Sequence, residues 1–276
     1  MLFRRLFLCA LLVGTCSGLL HAALQRWQVV PLIAAAEVYE STAEAHEPPA
    51  MPAHGESAAA HEHDHEHEHQ HDANEWQPAD GLERTGWTIT ANILAATGYA
   101  LLLIPLLAWW DRSRVGTAAS WKTGLAWGAC AWLATFALPG LGLPPELPGM
   151  GAAALRSRQA WWLLSVVCSG AGLAAWLLAR RNHWAWRCIG AVLLAVPFAV
   201  GAPQPEVDAF SAFSGDAAVQ MRLLSTQFVR ATALATALYW LSLGALSAIV
   251  VARWVRPLIG TFGFGGVVAP AAGRAL

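Results

Sequence analysis

Charged side chains are scarce in this sequence. Asp, Glu, Lys and Arg make up 13% of its 276 residues, whereas 56% of the residues are hydrophobic. A soluble domain carries about 25% charged residues, so this composition excludes an ordinary water-soluble fold. A mean hydropathy of +0.43 and fifteen tryptophans point in the same direction. The composition therefore predicts an integral membrane protein.

Several motifs of catalysis and nucleotide chemistry are missing. The sequence has no GxxxxGK[ST] phosphate-binding loop, no HExxH zinc motif, no nucleophile elbow and no paired carboxylates. The five cysteines form no CxxC pair and lie in or beside apolar runs, which argues against disulfides and a zinc finger. We therefore expect no enzyme and no organic cofactor. The segregated charge also makes nucleic acid an unexpected partner.

Basic residues are absent between Arg26 and Arg84, although thirteen of the eighteen acids lie between Glu37 and Glu83. Eight of the ten histidines lie in the same region, and residues 61–71 read HEHDHEHEHQH. Neutral imidazole binds Zn, Cu, Ni and Co, and a flexible segment can wrap several ligands around one ion. The candidate metal ligands are His46, His54, His61, His63, His65, His67, His69 and His71.

A solvated low-complexity linker is the alternative for this region, but a linker requires only polarity and gains nothing from histidine. Site affinities follow the Irving–Williams order, so the tract by itself does not select cobalt over nickel, copper or zinc. We expect a disordered His- and Glu-rich loop that binds a divalent transition metal as substrate.

Apolar runs of nearly 20 residues or more predict an all-α fold with about six transmembrane helices. Five of the runs follow the histidine-rich loop: Trp87 to Trp110, Ala118 to Leu138, Gln159 to Ala179, Trp184 to Val200 and Gln227 to Ala252. The fourth of these is short, and Pro197 near its end suggests a break. The predicted divisions are a first helix in 1–30, an external loop in 31–84, a five-helix bundle in 85–256 and a cytoplasmic tail in 257–276.

The first apolar run extends from Leu6 to about Leu24 after the basic pair Arg4 and Arg5. A signal peptide is the alternative, but the run is long and no clean small-x-small site follows it. We predict that the helix ends before Pro31 and that Leu32 to Tyr39 lies at the interface. Within the run, Cys9, Cys16 and His21 suggest either a ladder of soft ligands or, more simply, apolar packing with His21 at the interface.

Lys and Arg in the short connections set the expected orientation. An N-terminus in the cytoplasm places eleven of the seventeen basic residues there and puts the histidine-rich loop outside, as the positive-inside rule requires. The same choice places the Pro139 to Met150 loop and the Pro203 to Arg222 loop outside. In a bacterium, outside would be the periplasm.

Two external turns are further candidates for an ion site. LPPELPG, residues 143–149, is stiffened by three prolines and carries Glu146, a candidate ligand. GAPQP, residues 201–205, follows the short helix, and broken helix ends bind ions in transporters. The pairs Gly14 with Gly18 and Gly124 with Gly128 predict close helix packing in lipid, and we infer no oligomeric state from them.

Several segments together resemble the family of proposed cobalt transporter subunits named CbtA. They are RRLFLCALLVG, LQRWQVVPLIAAAEVYE, ADGLERTGWTITANIL, GLPPELPGM, RQAWWLL and GAPQP, and they cover nearly the whole chain. The resemblance implies histidine in many members of that family at the position where this chain has Gln204. The resemblance implies a polytopic protein of the bacterial inner membrane that takes up cobalt for cobalamin synthesis together with a small CbtB subunit.

Two functions remain open from the sequence. The first is a metal-uptake component whose tract concentrates ions that the helices then pass inward, driven by the membrane potential. The second is a membrane-anchored metal buffer or donor that serves another transporter. A membrane enzyme fits least, because the sequence offers no preorganised catalytic motif.

Overall fold

The computed structural model of the chain describes residues 2–44, 78–79, 81–113, 120–178 and 184–257. Within these ranges all regular secondary structure is helical. Four of the helical segments are long and apolar enough to cross a membrane: Phe3–Thr42, Leu82–Ser113, Leu155–Leu177 and Gly215–Val255. A fifth apolar helix, Trp184–Val200, is shorter. The helix predicted between Ala118 and Leu138 is not among the four. Helix length and apolar character in the described residues therefore do not reproduce the predicted count of six spans.

The first helical segment is longer than the sequence predicted. Helix α1 spans Leu2–Leu24, a π turn spans Gln25–Val29, and α2 continues over Val30–Glu44. Pro31 has no backbone N–H and would break the ladder of a regular helix at this point. The wider π turn, in which the Val30 N–H bonds to the Gln25 carbonyl, precedes the proline and keeps the helix continuous. The prediction that the helix ends before Pro31 is therefore wrong.

The remaining helices follow the predicted runs with shifted ends. Helix α3 spans Leu82–Ser113, α4 spans Trp121–Trp132, and a second π turn at Leu133–Ala137 leads into α5 at Leu138–Gly140. Helix α6 spans Leu155–Leu178, α7 spans Trp184–Val200 and α8 spans Gly215–Val250, followed by a third π turn at Val251–Val255.

Two of these ends correct the sequence-based boundaries. Helix α8 begins well before Gln227, since its less apolar first turns pack against α2 through the buried Met221 rather than against lipid. Pro197 lies inside α7 without ending it. The helix ends instead at Gly201, whose positive φ of 84° suits glycine and whose N–H bonds to the Pro197 carbonyl.

Helix α1 lies between α3 and α8 and runs antiparallel to both. Gly14 lies against Thr97 and Gly18 against Ile93, while the His21 ring lies on Tyr239 and Val29 packs with Phe228. A Cβ atom on Gly18 would lie 2.7 Å from the Ile93 Cα, so only glycine allows this approach. The predicted packing role of the Gly14 and Gly18 pair is confirmed.

Helix α4 packs on α8 through a second glycine contact. A Cβ on Gly124 would overlap the Gly244 carbonyl oxygen, and one on Gly128 would overlap that of Trp240. Helices α6 and α7 form an antiparallel pair around Gly172 and Gly190. That pair joins the rest of the bundle mainly through the second π turn and α5.

The two ends of the bundle differ in charge. At one end, called the basic end, Arg5 and Arg253 line a common cavity of about 540 Å³, and Arg256 pairs with Asp111. At the opposite end α2 ends and α3 begins, so the segment that holds the histidine tract is attached there. We call this the tract end.

Candidate functional site

The structure does not test the predicted histidine ligands. His46, His54, His61, His63, His65, His67, His69 and His71 lie outside the described residues. The helices on either side of the segment that contains them are α2, which ends at Glu44, and α3, which begins at Leu82. Near these two points Glu37 of α2 accepts a hydrogen bond from Arg84 of α3, with 3.2 Å between Oε1 and Nη2. Helix α2 and the first turn of α3 are therefore in contact at the tract end.

Glu146, the ninth predicted ligand, is described and already has a partner. Its Oε2 accepts a hydrogen bond from Nη1 of Arg158 in α6 at 2.6 Å, and both side chains are about 70% buried. Burial raises the pKa of Glu146 above the ordinary glutamate range, and the positive charge of Arg158 opposes that rise. A metal ion that bound Glu146 would have to displace the guanidinium group.

The turn that carries Glu146 is part of the packed structure of the tract end. Leu147 is buried in a cluster with Ala36 of α2 and Met221 of α8. Gly149, at a φ of 77°, lies against Glu40 of α2. The Gly151 N–H bonds to the Ala209 carbonyl at 2.8 Å, which joins this turn to the loop before α8. The two loops that the sequence predicted on one side of the protein therefore meet at one end of the bundle.

The second loop is fixed by Asp208. Its carboxylate accepts hydrogen bonds from the Phe210 N–H at 2.7 Å and from the Arg222 guanidinium group at 3.1 Å. The backbone hydrogen bond is the main cause of a lowered Asp208 pKa, and Arg222 contributes to it. Gln204, in the predicted helix-end motif, donates a hydrogen bond to the Ala202 carbonyl at 3.3 Å.

A groove lies between α1, α2 and α3 directly below the tract attachment points. Its volume is about 580 Å³ and its polar lining comes from Arg26, Glu37, Arg84, Thr85 and Thr88. The remaining lining is mostly apolar side chains such as Leu19 and Ile33. The groove thus leads from the tract end toward the middle of α1.

A buried polar cluster lies deeper, between α1, α3 and α8. Asn92 donates a hydrogen bond through Nδ2 to Oε1 of Gln25 at 2.6 Å. The Gln25 amide nitrogen lies 3.2 Å from Nε2 of His21, whose side chain is only 9% exposed. The ring of His21 lies on that of Tyr239, with 4.7 Å between centroids and an interplanar angle of 33°. Three helices therefore contribute to one chain of polar side chains.

Several atoms of this cluster are buried without a hydrogen bond. They are the Oγ of Ser17, the Nδ1 of His21 and the hydroxyl of Tyr239. The backbone of Ala235 lies near the His21 ring but forms no well-shaped hydrogen bond with Nδ1. Each unsatisfied buried polar group costs about 1–3 kcal/mol. The unsatisfied groups of this cluster therefore reduce the stability of the bundle.

The sequence analysis did not identify this cluster. The His21 ring is buried between α1 and α8, and its position at the membrane interface stays a prediction. The alternative ladder with Cys9 and Cys16 is not formed, since Cys9 is buried while Cys16 is exposed. The available signal was an intramembrane histidine with Ser17 one turn before it and Gln25 one turn after it.

Among the described residues no group of three or more His, Cys, Asp and Glu side chains is placed to hold a metal ion.

Helices long and apolar enough to cross a bilayer, with a buried polar cluster among them, define a multi-pass membrane protein. Residues 3–252 match the family described as "Probable cobalt transporter subunit (CbtA)", so the chain belongs to the CbtA family. No curated protein and no solved structure matches the chain. The family is one of transporter subunits rather than enzymes, which supports metal uptake and implies that the chain works with other subunits.

Proposed function

We propose that this chain is the membrane component of divalent metal uptake, with Co²⁺ as the favoured substrate and Ni²⁺, Zn²⁺ or Cu²⁺ as alternatives. Membership in the CbtA family carries this proposal. The histidine tract captures ions outside the membrane and the helices pass them inward. The cobalt then supplies cobalamin synthesis.

The proposed setting is the bacterial inner membrane, with six helices crossing it and the N-terminus in the cytoplasm. The separation of the two ends of the bundle supports this orientation, since Arg5, Arg253 and Arg256 share the basic end. The tract then lies in the periplasm as a disordered loop. At a potential of about 100 mV, negative inside, a divalent cation gains roughly 4.6 kcal/mol on moving inward.

The proposed ligands are the eight histidines of the loop, with Glu146 as a secondary, weaker ligand at the tract end of the bundle. Glu146 lies at the tract end beside α2, which supports its inclusion. A small CbtB-type subunit is the proposed protein partner, and the surrounding lipid is the other.

Radiolabelled cobalt uptake against concentration tests the proposal in cells that lack other cobalt routes. The key variant replaces the six histidines between His61 and His71 by glutamine, which keeps the length and the acids of the tract. We expect a higher half-saturation concentration and an unchanged maximum rate, because the tract only concentrates ions. A matched control replaces the tract acids by glutamine and keeps the histidines.

The competing function, a metal buffer or donor, predicts a different result. In that case the tract is the functional site, and its removal abolishes the contribution to uptake at every metal concentration. Loss of uptake at saturating cobalt with normal protein abundance would reject the carrier proposal in favour of the buffer.

A further inference from the structure

We propose that the buried cluster around His21 is a transient metal-binding site within the bundle, formed by Nδ1 of His21 and the hydroxyl groups of Ser17 and Tyr239. The proposal rests on the proposed uptake function, because it gives the ion its first binding position below the tract end. Its ligand class is a divalent transition-metal ion.

The location suits an ion that moves between the two ends. His21 lies sixteen residues after Arg5 of the basic end, which is about 24 Å along α1 at a rise of ~1.5 Å per residue. The hydrocarbon core of a bilayer is about 30 Å thick, so His21 lies in the half nearer to the tract end. The groove that Leu19, Ala22 and Ala23 line lies beside the same stretch of α1, on the side of the helix that faces away from Ser17 and His21.

The side-chain amides of Gln25 and Asn92 can favour the tautomer of His21 that binds metal, in which the proton is on Nε2 and Nδ1 carries the lone pair. A metal-binding histidine donates its other ring N–H to a hydrogen-bonding group. With the amides rotated by 180°, Nε2–H of His21 donates to the Gln25 oxygen, and the Gln25 nitrogen donates to the Asn92 oxygen. The two orientations of a side-chain amide have the same shape and differ only in which atom donates and which accepts. In the rotated arrangement the lone pair of the buried Nδ1 is available for a metal ion.

The hydroxyl groups supply the oxygen ligands. Ser17 precedes His21 by four residues, so both side chains lie on the same face of α1. Tyr239 faces them from α8, with its ring on the imidazole ring and its hydroxyl buried. One neutral nitrogen with neutral oxygen ligands binds a dication weakly, which suits a site that must release its ion.

A purely structural role does not account for these groups. Ser17 is fully buried and Tyr239 is 6% exposed, yet neither hydroxyl has a hydrogen bond. Alanine at position 17 or phenylalanine at position 239 would fill nearly the same space without an unsatisfied polar atom. Residues that reduce stability in this way are typical of functional sites.

The test compares Ser17→Ala, Tyr239→Phe and His21→Gln with the intact full-length chain in liposomes, using cobalt uptake and thermal unfolding. We expect Ser17→Ala and Tyr239→Phe to unfold at the same or a higher temperature, while the maximum uptake rate falls at least fivefold. His21→Gln should lower the maximum rate at least tenfold. His183→Gln, the other histidine outside the tract region, is the matched control and should leave uptake unchanged.

The outcomes separate this proposal from the proposed function. If the intact chain takes up cobalt and all three variants do so at the same maximum rate, the site is rejected while the uptake function stands. If His21→Gln is not produced in folded form, Ser17→Ala and Tyr239→Phe decide by the same criterion.

If the intact chain shows no uptake, cobalt binding decides on the site independently. The measurement is equilibrium dialysis of the purified full-length chain with all eight loop histidines replaced by glutamine. If this chain binds cobalt and the added substitution His21→Gln lowers the amount bound at least tenfold, the site is supported. Binding that does not change with His21→Gln overturns it.

Discussion

Arg256, directly after the third π turn, and Asp111, near the end of α3, are joined by two parallel hydrogen bonds. The Arg256 Nε donates to Asp111 Oδ2 at 2.7 Å, and Nη2 donates to Oδ1 at 2.8 Å. The Asp111 side chain is only 10% exposed, whereas that of Arg256 is 39% exposed. This paired geometry fixes both helices at the basic end and neutralises an acid near the predicted cytoplasmic surface.

Removing one member of this pair should destabilise the bundle. We expect Asp111→Asn or Arg256→Gln to cost about 1–2 kcal/mol, since each leaves a partly buried charged partner with weaker hydrogen bonds. The exchanged pair Asp111→Arg with Arg256→Asp should recover part of the loss. Thermal unfolding in detergent is the measurement. Equal stability of the single variants and the intact chain would contradict the prediction.

The contact between Gly124 and Gly244 should tolerate no Cβ atom. A Cβ on Gly244 would lie 2.9 Å from the Gly128 Cα and would overlap the Gly124 carbonyl oxygen, so Gly244→Ala must push α4 away from α8. We expect Gly244→Ala to lower the free energy of unfolding by about 2 kcal/mol or more, as overpacked substitutions in protein cores do. Gly98→Ala is the control, because a Cβ there meets nothing within 4 Å. The control should be neutral or slightly stabilising.

Labelling of single cysteines tests the six-helix topology. In a chain without its native cysteines, we expect labels from outside at positions 60 and 145 and labels from the cytoplasm at positions 115 and 182. The basis is the distribution of Lys and Arg in alternate connections. Labelling of positions 145 and 182 from the same side of the membrane would contradict the six-helix topology.

Metal binding by the tract should weaken in mild acid. Histidine must be deprotonated to bind a metal, and its unperturbed pKa is about 6.5. We therefore expect the affinity of a synthetic peptide of residues 45–77 to fall at least tenfold between pH 7.5 and pH 5.5, measured by calorimetry. Acids titrate near pH 4 and would leave the affinity unchanged in this range. An unchanged affinity would assign the main ligands to the carboxylates.

The Glu146 contact should depend on Arg158. The guanidinium group occupies Oε2 at 2.6 Å, so Arg158→Gln should free the carboxylate and lower the half-saturation concentration for cobalt. Glu146→Gln should raise it, and the double variant should behave as Glu146→Gln does. An uptake curve that is the same for all three variants would exclude Glu146 as a ligand.

The same pair gives a prediction on stability. Because burial raises the folded-state pKa of Glu146, the folded protein keeps its proton on Glu146 up to a higher pH than the unfolded chain does. The contribution of Glu146 to the free energy of unfolding is therefore fully present below the unfolded-state glutamate pKa of about 4.3. It is lost as the pH rises through the raised folded-state pKa. Glu146→Gln should remove this pH dependence from thermal unfolding curves. If the pH dependence of thermal unfolding persists in Glu146→Gln, another titrating group causes it.

Much of the helical architecture could be predicted from the sequence, because hydropathy and charge act over short distances along the chain. The apolar run from Trp184 to Val200 is found as a helix with the same limits. The Gly14 with Gly18 and Gly124 with Gly128 pairs indicated close packing before any partner was known. The segment motifs pointed to the CbtA family, which is confirmed over residues 3–252.

Other features depended on contacts between distant residues. Pro31 predicted a helix end, yet the π turn before it keeps the helix continuous to Glu44. Gly215 to Thr226 lacked the hydropathy of a span, but Met221 packs into a cluster with Ala36 and Leu147 and extends α8.

The sequence alone determined that the chain is a helical membrane protein with histidines and acids concentrated in one segment, because apolar length and residue composition are local properties. Only the tertiary structure decided that Glu146 is paired with Arg158 and that His21 is buried against Tyr239. Those relationships arise where three helices meet. Hydropathy places a residue within a span, but the neighbouring helices determine whether its side chain faces lipid, a groove or another polar group.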